Sequence, residues 1–227
     1  MQVVILAGGK SLRLRPISPK PLAKIGGKPI LYHVLKIYQA QGYDDFLILL
    51  GYGHKRIRRY LEEIKDEFNV NSVFTGYEVE TGGRVKKAED YLDKEFFLTY
   101  ADGLANINLR ALLKKHRELG KICTITAVNP QLPYGIVLGE DIALGFAEKP
   151  ILKDLWINAG FMVCKKKIVD YIESYKDKLE VEVFNRLVKD RQLAIYRHNG
   201  FWVSMDTLKD YLKLNKMWKE GAKWKVW

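Results

Sequence analysis

Short continuous apolar runs alternate along this chain with stretches whose apolar positions recur at helical spacing. The first run, Val3 to Ala7, ends in Gly8-Gly9. Such a run closed by glycines predicts a buried strand that feeds a loop. Ile30 to Gln41 carries Ile30, Leu31, Val34, Leu35 and Tyr38 on one helical face, and Gly42 ends it. Phe46 to Leu50 predicts a second buried strand. His54 to Phe68 sets Ile57, Leu61 and Ile64 on one side and charges elsewhere, which predicts an amphipathic helix. Asn71 to Phe74 predicts a short strand, Val85 to Leu92 a helix, Glu95 to Tyr100 a strand, Leu109 to Leu119 a helix, and Ile122 to Val128 a strand. This alternation predicts an α/β fold with a mainly parallel sheet covered on both faces.

Beyond Pro130 the grammar changes. Tyr134 to Leu138 and Ala143 to Ala147 read as two strands joined around Gly139, and Trp156 to Val163 as another. Helices are expected near Lys166 to Ser174 and Val181 to Lys189, then a strand from Leu193 to Tyr196. Gly200 to Thr207 leads into a last helix, Leu208 to Trp218. The tail, Lys219 to Trp227, mixes Lys and Trp. It is expected to tuck against its own domain or a neighbouring subunit rather than to stack on nucleic acid.

Composition narrows the function classes. A chain of 227 residues, 48% hydrophobic, suits one large α/β domain or two small ones. No apolar run reaches the roughly eighteen residues of a membrane span, and no apolar signal core precedes the first strand. Cys123 and Cys164 lie in apolar segments and are expected as buried free thiols in a reducing cytoplasm. The net charge of +11 admits nucleic acid or phosphorylated ligands. No nucleic-acid-binding motif accompanies it, so most of it reads as a solvated lysine-rich surface. His33, His54, His116 and His198 are scattered, without the spacing of a zinc site or a triad.

Candidate chemistry begins at the first loop. Backbone N–H groups of a glycine turn can cradle phosphate oxygens, and Arg13, Arg15 and Lys20 add fixed positive charge. Such a loop at the carboxyl end of a first strand is where an open α/β sheet binds its ligand. Gly9-Lys10-Ser11 imitates the end of a P-loop, but Val4 stands where that motif needs glycine, and Pro16 and Pro19 oppose the helix that should follow. Gly51-Tyr52-Gly53 imitates a dinucleotide fingerprint, but Arg56 stands at its third glycine. Asp102, between a strand and Gly103, is placed either to bind a metal ion or to form an ordinary turn. Thr81 is either a helix N-cap or a ligand contact, and the glycines after it would admit a flat base.

The segment LAGGKSLRLRPISPKPLAKIGGKPI resembles the opening of the sugar-1-phosphate nucleotidyltransferases, with Ser11 and Leu12 in place of that family's glycine and threonine. TGGRVKK, TYADG, PYGIV, EKP, WINAGF and GFWVSMDT recur in the family's order and are most similar to the glucose-1-phosphate cytidylyltransferase type. The resemblance implies a single domain over residues 1–227, a Rossmann-like three-layer sandwich with a mixed, mainly parallel central sheet. It implies a nucleoside triphosphate and a sugar 1-phosphate as partners, CTP and glucose 1-phosphate first among them, and Mg²⁺ as cofactor. Guanylyl or thymidylyl transfer and a non-catalytic sugar-nucleotide-binding subunit remain as alternatives. The positions carried over are Arg13, Lys20 and Lys149 for catalysis, and Ala7, Gly8, Gly9, Thr81, Gly82 and Arg84 for the nucleotide. Gly135, Glu148 and Asn158 would hold the sugar, and Asp102 and Asp206 the metal. No specific nucleic acid and no membrane partner is expected, a second copy of the chain stays open, and the expected location is cytoplasmic.

Overall fold

The structure is a computed structural model and describes residues 1–10, 17 and 19–227. Strand β1 (Gln2–Ala7) is buried along its whole length. Val3, Ile5 and Ala7 pack into one hydrophobic layer, and Val4 and Leu6 into the other. That double burial is why its sequence runs apolar without alternation. A small hairpin, β2 (Lys24–Ile25) and β3 (Lys28–Pro29), leads into α1 (Ile30–Gln39), whose Ile30, Leu31, Val34, Leu35 and Tyr38 are all buried. Then follow β4 (Asp45–Leu50), α2 (His54–Glu63), β5 (Asn69–Phe74), α3 (Thr81–Lys87), β6 (Glu95–Tyr100), β7 (Gly103–Ala105), α4 (Leu109–Leu119) and β8 (Cys123–Val128). An exposed hairpin, β9 (Ile136–Gly139) and β10 (Ala143–Ala147), precedes β11 (Ile157–Lys165). The chain closes with α5 (Phe184–Lys189), β12 (Leu193–Arg197), β13 (Trp202–Ser204) and α6 (Leu208–Gly221).

Seven strands form the central sheet in the order β5-β4-β1-β6-β11-β8-β12. Only β11 runs antiparallel to its neighbours, and the remaining pairings are parallel. The sheet is therefore mixed and mainly parallel, with helices on both faces, as the alternation and the resemblance predict. From β1 the chain steps outward to β4 and β5, then returns to the other side of β1 for β6. Reversal of strand order at β1 and β6 opens a crevice beyond their carboxyl ends.

Several boundaries differ from the sequence expectation. Helix α2 stops at Glu63, because Ile64 turns back to bond Leu61 and brings Phe68 into the core. Helix α3 begins at Thr81 rather than Val85, so Gly82 and Gly83 lie inside it. Lys166–Tyr171 is a 3₁₀ helix, and Leu179–Val183 is a π-helical turn running into α5. Asp177 separates these two pieces: its buried carboxylate accepts from Glu173 N at 3.0 Å and Arg186 Nη1 at 2.6 Å. Cys123 and Cys164 sit opposite each other on β8 and β11 as buried free thiols. No helix among the described residues is long and apolar enough to cross a membrane.

The Lys/Trp-rich tail tucks against its own chain. Trp224 is fully buried and stacks on Phe201 with ring centroids 6.0 Å apart. Its Nε1 lies 3.4 Å from His33 Nδ1. An indole N–H can only donate, so Nδ1 accepts, and His33 Nε2 donates to Ile25 O at 2.9 Å. Burial pushes the His33 pKa down and keeps the ring neutral at physiological pH. Trp224→Ala should lower unfolding free energy by about 3–5 kcal/mol in a urea titration, the cost of emptying a core tryptophan site. A change within about 0.5 kcal/mol would mean that the tail is a solvated arm.

Candidate active site

The crevice at the carboxyl ends of β1 and β6 is a cleft of about 640 Å³, within the size range of small-molecule sites. One wall is the turn after β1. The Gly8 carbonyl accepts from Tyr52 N at 3.1 Å and from Arg84 Nη2 at 3.0 Å. A Cβ on residue 8 would lie 2.3 Å from the Arg84 guanidinium carbon, so only glycine lets that side chain pass beneath the turn. Ala7, Gly8, Gly9 and Lys10 all line the cleft. Lys10 also pairs with the exposed Glu78 at 2.8 Å. Arg13 lies outside the described residues, as do Ser11 and Leu12.

The opposite wall is built by strand register. β13 pairs antiparallel with β7, setting Ser204 against Gly103, and Met205 N donates to Asp102 O at 3.1 Å. Asp206, two residues past Ser204, thereby comes beside Asp102. Ser204 Oγ donates to Asp206 Oδ2 at 2.9 Å, and a Thr207–Asp210 capping box starts α6 directly afterwards. Between the carboxylates sits Lys20, carried on a 3₁₀ turn (Lys20–Leu22) behind Pro19. Its Nζ donates to Asp102 Oδ2 at 2.7 Å and to Asp206 Oδ1 at 3.0 Å. Burial pulls the Lys20 pKa down, but Asp102 and then Asp206 more than reverse it, so the ammonium stays charged. Burial pushes the Asp102 carboxyl up, opposed by Lys20 and reinforced by Asp206. Two carboxylates whose oxygens converge on one cation suit a hard divalent ion, which takes one or two carboxylates plus phosphate oxygens and water. No third acidic, histidine or cysteine ligand is gathered with them among the described residues.

Arg84 and Gly82 also hold the fold together. Arg84 lines the cleft, though it is only 4% exposed. Its Nη1 lies within hydrogen-bond reach of Leu50 O, Thr75 Oγ1 and Gly76 O, and its Nη2 holds Gly8. A guanidinium shared among these acceptors fixes the turn. The glycine pair makes room for the protein's own backbone: a Cβ at Gly83 would lie 2.1 Å from Tyr175 O, and one at Gly82 2.8 Å from Asp177 O. Thr81 does line the cleft, yet it is the first helical residue, with Glu80 at the cap. Its hydroxyl accepts from Leu179 N at 2.9 Å and donates to Glu180 Oε2 at 2.8 Å.

The proposed sugar positions stand apart from the cleft wall. Glu148 and Lys149 form an exposed ion pair on the arm that carries β9 and β10. Gly135 packs under Phe146 and Glu148 on the same arm, and Asn158 Oδ1 accepts from Gly160 N at 2.9 Å. The arm nonetheless leaves the sheet at the carboxyl end of β8, which runs parallel to β6, so both emerge at the edge that holds the cleft. Lys149 has φ of 47°, a left-handed conformation rare outside glycine and concentrated at functional positions. Three contributors escaped the sequence reading. Tyr100 ends β6 one residue before Ala101-Asp102, which was a readable signal; its hydroxyl donates to Glu180 Oε1. Lys178, which lines the cleft, and Glu180 arrive on a turn that no local pattern marks.

A glycine turn at a sheet's switch point, facing carboxylates that share a cation, defines an α/β protein built to handle phosphate esters. The chain belongs to the nucleotidyl transferase family, whose model it matches over residues 2–221. It is 40% identical to a probable glucose-1-phosphate cytidylyltransferase of Bacillus subtilis and 35% identical to the glucose-1-phosphate cytidylyltransferase of Salmonella typhimurium, in each case over 100% of both chains. HddC from Yersinia pseudotuberculosis shares the fold, with a TM-score of 0.76 at 24% identity over 96% of this chain and 99% of that one.

Arg84→Ala should lower stability by about 3 kcal/mol or more, because buried acceptors lose a charged donor, and should leave the preference among nucleotide bases unchanged. Denaturant melts and kcat/KM for each triphosphate measure the two effects. An intact fold with altered base preference would return Arg84 to the base.

Proposed function

We propose that this protein, as one nucleotidyltransferase domain, transfers a cytidylyl group from CTP to glucose 1-phosphate and releases pyrophosphate. The observation that carries the reading is the convergence of Lys20, Asp102 and Asp206 opposite the Gly8-Gly9 turn. The chemistry asks for such a site. A sugar-phosphate oxygen attacks the α-phosphorus in line, and pyrophosphate leaves. A phosphate monoester has a second pKa of about 6, so the nucleophile is already ionised and no protein base is needed. The barrier lies in bringing two polyanions together and in stabilising charge on the departing pyrophosphate.

The roles are those that the family resemblance implies. N–H groups of the Gly8-Gly9 turn receive triphosphate oxygens, with Arg13 assigned to the β and γ phosphates. Lys20 serves the phosphates at the reacting centre. Mg²⁺, held by Asp102 and Asp206, supplies charge neutralisation to the polyphosphate. Lys149 reaches the sugar phosphate as a movable point charge, while Glu148, Asn158 and the Gly135 backbone orient the sugar. The shared edge of arm and cleft and the left-handed backbone at Lys149 support that assignment. CTP is favoured by the full-length likeness to proteins named as cytidylyltransferases. Substrates of this kind, with buried free thiols, fit a cytoplasmic enzyme.

Pyrophosphate release from glucose 1-phosphate with CTP, UTP, dTTP or GTP and Mg²⁺ tests the reading. CTP should give the highest kcat/KM. A tenfold advantage for another triphosphate would replace the base assignment, and no release with any would remove the enzymatic reading. Lys149→Ala should raise KM for the sugar phosphate more than KM for the triphosphate. An effect confined to the triphosphate would move Lys149 out of the sugar half.

A further inference from the structure

We propose that Lys20 is a built-in counter-ion that competes with the divalent metal for Asp102 and Asp206 and yields its place when polyphosphate enters the cleft. The inference rests on the reading that these carboxylates hold the metal. One oxygen of each carboxylate already lies within 3.0 Å of the Lys20 ammonium. A Mg²⁺ ion bound by the same pair, with oxygens at about 2.0–2.1 Å, would claim the space that the ammonium fills. A monovalent and a divalent cation repel at that separation, so the two states exclude each other unless the ammonium moves.

The chain lets it move. The backbone of Lys20 is fixed, since Ala23 N donates to Lys20 O at 3.0 Å, whereas the four-carbon stem is flexible. The same cleft presents the Gly8-Gly9 turn, where triphosphate oxygens would offer the ammonium a second anionic partner. With Lys20 at rest, the half-buried Asp102 carboxylate keeps a counter-charge, and charge repulsion between the aspartates is offset. Arrival of polyphosphate draws the ammonium toward the reacting phosphates and exposes the aspartates to the metal that travels with it. Binding of metal and of triphosphate is thereby positively coupled, and the coupling is reciprocal.

Mn²⁺ titration of the substrate-free protein at about pH 8, well above the ordinary carboxylate range, tests this. The readout is loss of the free-ion electron paramagnetic resonance signal. Lys20→Met, which removes the charge and keeps the stem, should bind Mn²⁺ at least about tenfold more tightly than wild type. Asp102→Asn added to Lys20→Met should cancel the gain. Lys20→Gln gives the same comparison should Lys20→Met fail to fold. Binding no tighter in the folded Lys20 variant than in wild type overturns the proposal. Tighter binding by a protein that releases no pyrophosphate with any triphosphate would keep this inference and remove the enzymatic reading instead.

Discussion

Asp102 and Asp206, 82 and 186 residues further along the chain than Lys20, meet at its ammonium. That contact is the constraint around which the site is arranged. Asp102 sits at the carboxyl end of a central strand, where the sheet opens. Asp206 reaches it because β13 docks against β7. Lys20 arrives on a tight turn between the first loop and α1. Like-charged carboxylates at the rim of a core both stay ionised most readily with a cation among them. The fold supplies one from its own chain and leaves it on a side chain that can move.

A second buried charge fixes the other wall. Arg84 joins the turn after β1 to the ends of β4 and β5 through Gly8, Leu50 and Thr75. Arg84 lines the cleft as well, so its charge lies beside the Gly8 backbone. A site that must approach phosphates closely gains from a glycine turn held by a buried charge beside it.

The sheet was legible because burial on two faces leaves an unbroken apolar run, as in β1, β4 and β6, and helical periodicity marks α1 and α4. Asp102 was legible as a carboxylate after a strand at the binding edge, whereas Asp206 came only from the resemblance. The structural contacts of Arg84 and Gly82 were not legible, since they depend on Gly8 and on Asp177 of a distant segment. Nothing local in TGGR encodes those partners. The same holds for Glu180, which joins Thr81 to Tyr100 across distant sequence. Resemblance placed Glu148-Lys149-Pro150, but only the backbone at Lys149 shows that the position is conformationally unusual.

The central claim is that Asp102 and Asp206 hold the metal that lets phosphate attack phosphate. Single-turnover pyrophosphate release in millimolar Mg²⁺, with wild type, Asp102→Asn and Asp206→Asn compared at matched folded concentration, tests it most directly. The account predicts that each variant keeps its circular dichroism spectrum and loses on the order of 10²-fold or more in rate. A near-wild-type rate in either folded variant would contradict it.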